Sequence, residues 1–140
     1  MSAIETIPPQ TCGESKLAGT WSESLGALWF QADDIKIREV AAAMNSVRAR
    51  FVTITAHQLP GSQGMRLDYH WDLEGRLLAF AFLISGNSIE SIYDLCEAAD
   101  WIEREVHEQF AVEFTGRAYE PLLLRPGNAV GVYLREEAKK

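Results

Sequence analysis

The residues best suited to chemistry lie in one short run, Trp101-Ile-Glu-Arg-Glu-Val-His-Glu-Gln-Phe110. Glu103, Glu105 and His107 together offer acid, base and metal-ligand atoms, so general acid–base catalysis or metal binding is the first chemistry to test. A di-iron helix site wants Glu-x-x-His on each of two helices, whereas Glu103 and His107 are four apart and no second such pair exists. A zincin motif needs two histidines on one helical face, and the other two, His57 and His70, lie far away in the sequence. No serine sits in a G-x-S-x-G elbow, and Gly61-Ser-Gln-Gly64 is neither a dinucleotide fingerprint nor a phosphate loop. The cysteines, Cys12 and Cys96, form no C-x-x-C pair, which argues against a cluster or structural zinc held by this chain and for two unpaired thiols in a reducing compartment.

Bulk properties narrow the field further. A chain of 140 residues, 47% hydrophobic and 24% charged, is long enough for one domain with its own core. Net charge is −7 with no basic stripe, which excludes nucleic acid as an expected partner and a polybasic lipid attachment. No stretch approaches the roughly 18 apolar residues that span a bilayer, and the N-terminus lacks the pattern of a signal peptide. A cytoplasmic protein without direct membrane insertion is the expectation.

The elements that must position the charged run follow from periodicity. Residues 1–20, rich in Ser, Thr and Pro with Pro8-Pro9 barring helix, read as a flexible tail. Residues 21–124 read as a single domain and 125–140 as an extended C-terminal tail. Ala27–Phe30 suits a short strand. Asp33 and Asp34 can cap a helix over about 34–49, whose apolar stripe is Ile35, Val40, Ala41, Met44 and Val47, with Arg48 and Arg50 at its carbonyl end. Phe51–Ala56 is β-branched and aromatic, and His57–Gly64 reads as a loop. From Met65 to Leu73, apolar residues alternate with Arg66, Asp68, His70 and Asp72, the period of a strand with one solvated face. Glu74-Gly75 turns into Arg76–Ser85, apolar on both faces and therefore expected to be an inner strand covered on each side. Ser88 can cap a helix running from Ile89 to Phe110, with a break allowed near Cys96–Ala98. Ala111–Thr115 is a short strand ended by Gly116, and Val130–Leu134 is a last extended segment. The expected class is α+β: a small, mostly antiparallel sheet with two main helices packed on it.

At about 100° per residue, Ala99, Ile102, Val106 and Phe110 form the core stripe, and Trp101 falls nearly opposite, beside Arg104, Glu105 and Glu108. Arg104 and Glu108, spaced i,i+4, can pair. This is the composition of a solvated polar face with one stray Trp, and equally of a protein-binding surface, where Trp and Arg are the anchoring types. Pattern alone fits both.

The stretch also resembles a known family. Ser88-Ile89, Ala99-x-Trp101-x-Glu103-Arg104-Glu105, Phe110, Phe114 and Gly116 are similar to the signature of the 30 kDa subunit of respiratory-chain NADH dehydrogenase, complex I. The same domain occurs in membrane-bound [NiFe] hydrogenases and formate hydrogenlyases. The family pattern runs S-I … A-x-W-x-E-R-E-x-[aromatic]-D-[L/M]-F-G-[I/V]-x-F-x-G-[H/N/R]-P, and the close match covers about residues 88–124. The resemblance implies a non-catalytic subunit without cofactor, peripheral on the cytoplasmic side of the inner membrane. It would dock on a large hydrogenase-like subunit and a neighbouring Fe–S subunit, which hold the Fe–S clusters and any NiFe centre. Trp101, Arg104, Glu105 and Glu108 would form its partner interface.

The departures are specific. His107 stands for an aromatic residue, Glu108 for Asp and Gln109 for Leu or Met. Ala111 stands for a glycine, so a turn needing positive φ there would be strained. Arg117-Ala118 stands for His-Pro. The second motif of respiratory subunits, D-Y-G-F-x-G-H-P-x-R-K-D-F-P, is absent, so the short form looks more like the hydrogenase branch than NADH:quinone oxidoreductase. Two alternatives stand beside this reading: a small enzyme or metal-binding protein using Glu103, Glu105 and His107, and an interaction module of the same fold outside any redox complex.

Overall fold

The computed structural model describes residues 20–31, 35–61, 64–84 and 86–135. Residues 1–19 of the expected N-terminal tail, the caps Asp33 and Asp34, and Cys12 lie outside these. Among the described residues, two sheets and two α-helices make an α+β fold. Strands β1 (Thr20–Ser24), β2 (Ala27–Gln31), β3 (Arg50–Gln58), β4 (Met65–Leu73) and β5 (Arg76–Ile84) form one sheet in the order β1-β2-β5-β4-β3. All its pairings are antiparallel except β2 with β5. A second, parallel pair joins β6 (Ser88–Glu90) to β7 (Glu113–Thr115). The helices are α1 (Ile37–Ser46) and α2 (Asp100–Phe110), the latter entered through a 3-10 turn at Glu97–Ala99.

The period-two stretch forms β4 over its full expected length. Its apolar side, Met65, Leu67, Tyr69 and Trp71, is at most 2% exposed. Phe80 of β5 meets Trp71 edge-on, and Phe82 meets Tyr69 in the same way. Such aromatic pairs add about 0.5–1.5 kcal/mol beyond their burial. α1 closes this core with Ile37, Val40, Ala41 and Met44, and α2 with Val106. Both two-residue hairpins, Leu25-Gly26 and Glu74-Gly75, have positive φ at each central position, as the right-handed strand twist demands.

Several expectations change. Strand β1 was not expected and begins at Thr20, the last residue of the expected tail; Trp21 draws it into the sheet by packing edge-on against Phe30 and Phe80. The strand expected at Phe51–Ala56 runs on to Gln58, so His57 is a strand residue rather than a loop residue. α1 ends at Ser46 and Arg48 lies beyond it at φ 60°, so no basic residue sits in its last turn. Most consequentially, Ser88 caps no helix: Ser88-Ile89-Glu90 is a strand beside Glu113-Phe114-Thr115. The apolar spacing of Ile89, Ile92 and Leu95 fits a helix, but Phe114, fully buried, supplies a strand partner the local pattern cannot show.

β5 is an inner strand as expected, yet its second face is not covered. Ala81 is exposed and Leu83 is 73% exposed. Ala79 pairs with Trp29 of β2, whose ring meets His70 edge-on and carries the Arg66 guanidinium over its face. Asp68, expected on a solvated face, is only 4% exposed, held between Arg66 Nε at 2.7 Å and His57 Nε2 at 3.1 Å. Part of the outer sheet face is thus covered by its own long side chains, while Ala81 and Leu83 stay open.

Candidate functional site

α2 spans the chemistry-bearing run and ends at Phe110. Its core stripe is as expected: Ala99 and Val106 are buried, with Ile102 and Phe110 packed beside them. The polar residues divide in a way the helical wheel does not show. Trp101 stands out at 70% exposure. Glu105 is half-buried and accepts a bond from Gln109 at 3.0 Å. Arg104 does not pair with Glu108. It reaches Asp100 at 3.3 Å and the Glu120 carbonyl at 3.4 Å, and its side chain is only 12% exposed.

Glu108 is 6% exposed and turned into the fold, where it accepts the backbone N–H groups of Leu122 (2.8 Å), Leu123 (2.8 Å) and Leu124 (3.0 Å). Burial works to raise its carboxyl pKa, but these three donors, helped by His107, hold it below the usual carboxylate range. A lowered folded-state pKa means stability that is present above the ordinary glutamate value of about 4.3 and is lost as pH falls through the folded value. Glu108→Gln is therefore expected to lower the urea midpoint at neutral pH, and the difference from the parent chain should shrink toward pH 3.

Glu103 is fully buried. It accepts Ser91 Oγ at 2.6 Å, the Ile92 N–H at 2.9 Å and Arg117 Nη1 at 3.1 Å. Arg117 also binds Asp100 at 2.5 Å, and its guanidinium lies over the rings of Tyr93 and Tyr119. Burial pushes the Glu103 carboxyl above its ordinary value, opposed by Ser91, the Ile92 N–H and Arg117. His107 donates through Nδ1 to the Val112 carbonyl at 2.9 Å and stacks on Tyr119 with centroids 3.9 Å apart. The Tyr119 hydroxyl bonds both the N–H and the carbonyl of Phe114, and burial pushes its pKa up to about 12. Glu103, Glu105 and His107 thus serve three separate contacts and form no common centre. Among the described residues no three of His, Cys, Asp and Glu are grouped as metal ligands.

The end of α2 is shaped by Ala111, left-handed at φ 56° and ψ 30°. An L-residue with a Cβ costs about 1–2 kcal/mol in this region. Ala111→Gly is expected to stabilise the chain by about 1 kcal/mol, seen as a higher urea midpoint. The open carbonyls of Glu108 and Gln109 accept the N–H groups of Gly131 (2.7 Å) and Tyr133 (2.8 Å). Gly131 sits at φ 89°, a backbone conformation in which an L side chain is strained, so glycine suits this position. Beyond it, Arg135 bonds Gln58 at the end of β3.

Sequence reasoning singled out the helix but not Ser91, Asp100 or Tyr119, and it took Arg117 only as a departure. The usable signal was the pairing of acids on α2 with Arg117 after the glycine. Of the motif residues, Ser88 and Ile89 pair with Glu113 and Phe114 in the β6–β7 ladder, and Gly116 follows at φ 88°.

The chain has relatives of known kind. The family model described as respiratory-chain NADH dehydrogenase, 30 Kd subunit, matches residues 30–139. The C subunit of NADH-quinone oxidoreductase from Rhodopseudomonas palustris (strain BisB18) is 32% identical over 104 residues, 68% of this chain and 52% of that protein. The J subunit of NAD(P)H-quinone oxidoreductase from Synechococcus sp. (strain WH7803) is 36% identical over 64 residues, 46% of this chain and 35% of that protein. The matched regions thus span about half or less of these relatives. A protein chain in the structure of the membrane-bound sulfane sulfur reductase, an archaeal respiratory membrane complex, superposes with a TM-score of 0.63 and 25% identity, covering 71% of this chain and 64% of that one. A trypsin-resistant fragment of Nqo5 shares the fold, with a TM-score of 0.59 and 18% identity over 71% of this chain and 89% of the fragment.

Proposed function

Because the chain belongs to the respiratory-chain NADH dehydrogenase 30 Kd subunit family, we propose that it is a non-catalytic docking subunit of a complex I-like membrane-associated oxidoreductase. It binds the large hydrogenase-like subunit of that complex, and the redox centres, Fe–S clusters among them, reside in partner subunits. The observation that carries this reading is Trp101, 70% exposed on a helix whose Glu103, Arg104 and Glu108 are all bound within the fold. Those contacts fix the helix, so the indole is presented on a rigid support, at low entropic cost to a partner. The relatives named as subunits of quinone oxidoreductases, and the neighbour from a respiratory membrane complex, support the same setting.

No helix among the described residues is long and apolar enough to cross a membrane. Attachment therefore runs through protein contacts in this reading, on the cytoplasmic side. The test is affinity purification of the tagged full-length chain from mildly solubilised membranes of its own host. The large hydrogenase-like subunit is expected to co-purify, and the chain purified alone should show no visible or paramagnetic redox signal. Return of the chain without that subunit would overturn the proposal.

A further inference from the structure

Strand β3 ends the five-stranded sheet, and its backbone decides what can meet it there. The Leu59 N–H donates to the Gly64 carbonyl across the hairpin, so Leu59 turns its main-chain groups toward β4. The side alternates along an antiparallel strand, and His57, Thr55 and Thr53, opposite Arg66, Asp68 and His70, turn the same way. Gln58, Ala56 and Ile54 therefore direct their N–H and C=O groups outward. Arg135 Nη2 reaches the Gln58 carbonyl from that outer side at 2.6 Å. Among the described residues, the N–H groups of Ile54 and Ala56 and the Ala56 carbonyl meet no partner, and the Ile54 carbonyl meets only the Thr53 hydroxyl at 3.4 Å.

An open row of donors and acceptors is a template for another chain, so natural edge strands are kept short or are guarded by Pro, Lys or bulges. β1, at the opposite edge, has five residues, whereas β3 has nine and contains neither Pro nor Lys. Its guards stand at the two ends: a bulge between Phe51 and Thr53, and Arg135 on Gln58. The stretch between them, Thr53-Ile-Thr-Ala-His57, holds no Asp, Glu, Lys or Arg to repel a neighbour.

Donor and acceptor dipoles that recur about every 7 Å have one natural complement, the same row on a second extended chain. Side chains set its pattern. A residue opposite Ile54 or Ala56 falls on the core side of the sheet, where Ile54 is buried and Ala56 partly so, and the residue between falls beside exposed Thr55. The guarded ends argue against a second copy of this chain. A two-fold pair that joins Ile54 of each copy to Ala56 of the other centres on Thr55. It sets Gln58, with Arg135 across it, against the bulged Val52 at both ends. A narrow arm meets no such block.

We propose that the outer edge of β3 takes up a short extended arm of the docked large subunit, apolar at the two positions facing Ile54 and Ala56 and polar between them. The arm adds one strand to the sheet through main-chain hydrogen bonds. The inference rests on the docking role proposed above and adds a contact separate from Trp101.

The test is amide hydrogen exchange, read residue by residue, on the parent chain alone and in the co-purified complex. The Ile54 and Ala56 amides are expected to exchange freely in the chain alone and at least about tenfold more slowly in the complex. Those of Thr55 and His57, already bonded to β4, should be slow in both. Alongside, Ala56→Pro removes an outward N–H at a place where edge strands accept proline, and should weaken capture of the large subunit by about tenfold or more. The exchange readout uses the parent sequence and decides the matter if that variant does not fold. If the complex forms but Ile54 and Ala56 exchange as fast as before, or a folded Ala56→Pro chain captures as well as the parent, the strand site is wrong and the docking role stands. Slow exchange of both amides in the chain alone overturns the site too, because the edge is then already filled by this chain or a second copy. If the parent captures no large subunit, both fall.

Discussion

Replacing Arg117 by Met is expected to cost the chain about 3 kcal/mol at neutral pH, the penalty of stranding a buried carboxylate. The side chain of Arg117 is 8% exposed and binds Glu103, which is fully buried, at 3.1 Å. Methionine keeps much of the apolar volume against Tyr93 and Tyr119, so the loss reports the charge and its hydrogen bonds rather than a cavity. Its pH dependence has a definite sign. Burial already raises the Glu103 carboxyl, and removal of Arg117 raises it further. A raised folded-state pKa gives stability that is full below the unfolded value, about 4.3, and is lost as pH rises through the folded value. The deficit of Arg117→Met, read from urea unfolding, should therefore be small near pH 4 and grow toward pH 7. A deficit that is constant, or larger in acid, would show that Arg117 does not hold the Glu103 charge.

This network also marks where the sequence stops being legible. β4 was readable because its alternation is local, with every other residue from Met65 to Trp71 entering one core. α2 was readable from its 3.6-residue stripe, and the α+β class followed. β6 was not, since what makes Ser88-Ile89-Glu90 a strand is Phe114, 25 positions from Ile89 in the chain but its partner in the ladder. The second face of β5 was misjudged because Ala81 and Leu83 are apolar whether or not another element covers them, and here they are exposed. For the site, the wheel placed Glu108 and Arg104 away from the core stripe. It could not show that residues 120–124 fold back over that side and take both side chains inward. Of the four residues expected at the interface, Trp101 is the most exposed and Glu108 is buried. Ala111, by contrast, was legible in advance: the departure from glycine coincides with a left-handed residue.

Trp101→Ala is the second large effect, and it should appear in binding and not in folding. A solvent-facing indole without a hydrogen bond among the described residues contributes little to stability, so the unfolding free energy from urea should change by no more than about 0.5 kcal/mol. If the same indole is buried by a partner, truncation should cost about 2 kcal/mol or more of binding, roughly a thirtyfold loss. The decisive measurement is therefore the affinity of the purified full chain for the large hydrogenase-like subunit, compared between the parent sequence and Trp101→Ala. The docking account predicts measurable binding by the parent and a loss of about thirtyfold in the variant, with both chains equally stable. Equal affinities for the two chains, or no binding by a folded parent, would contradict it.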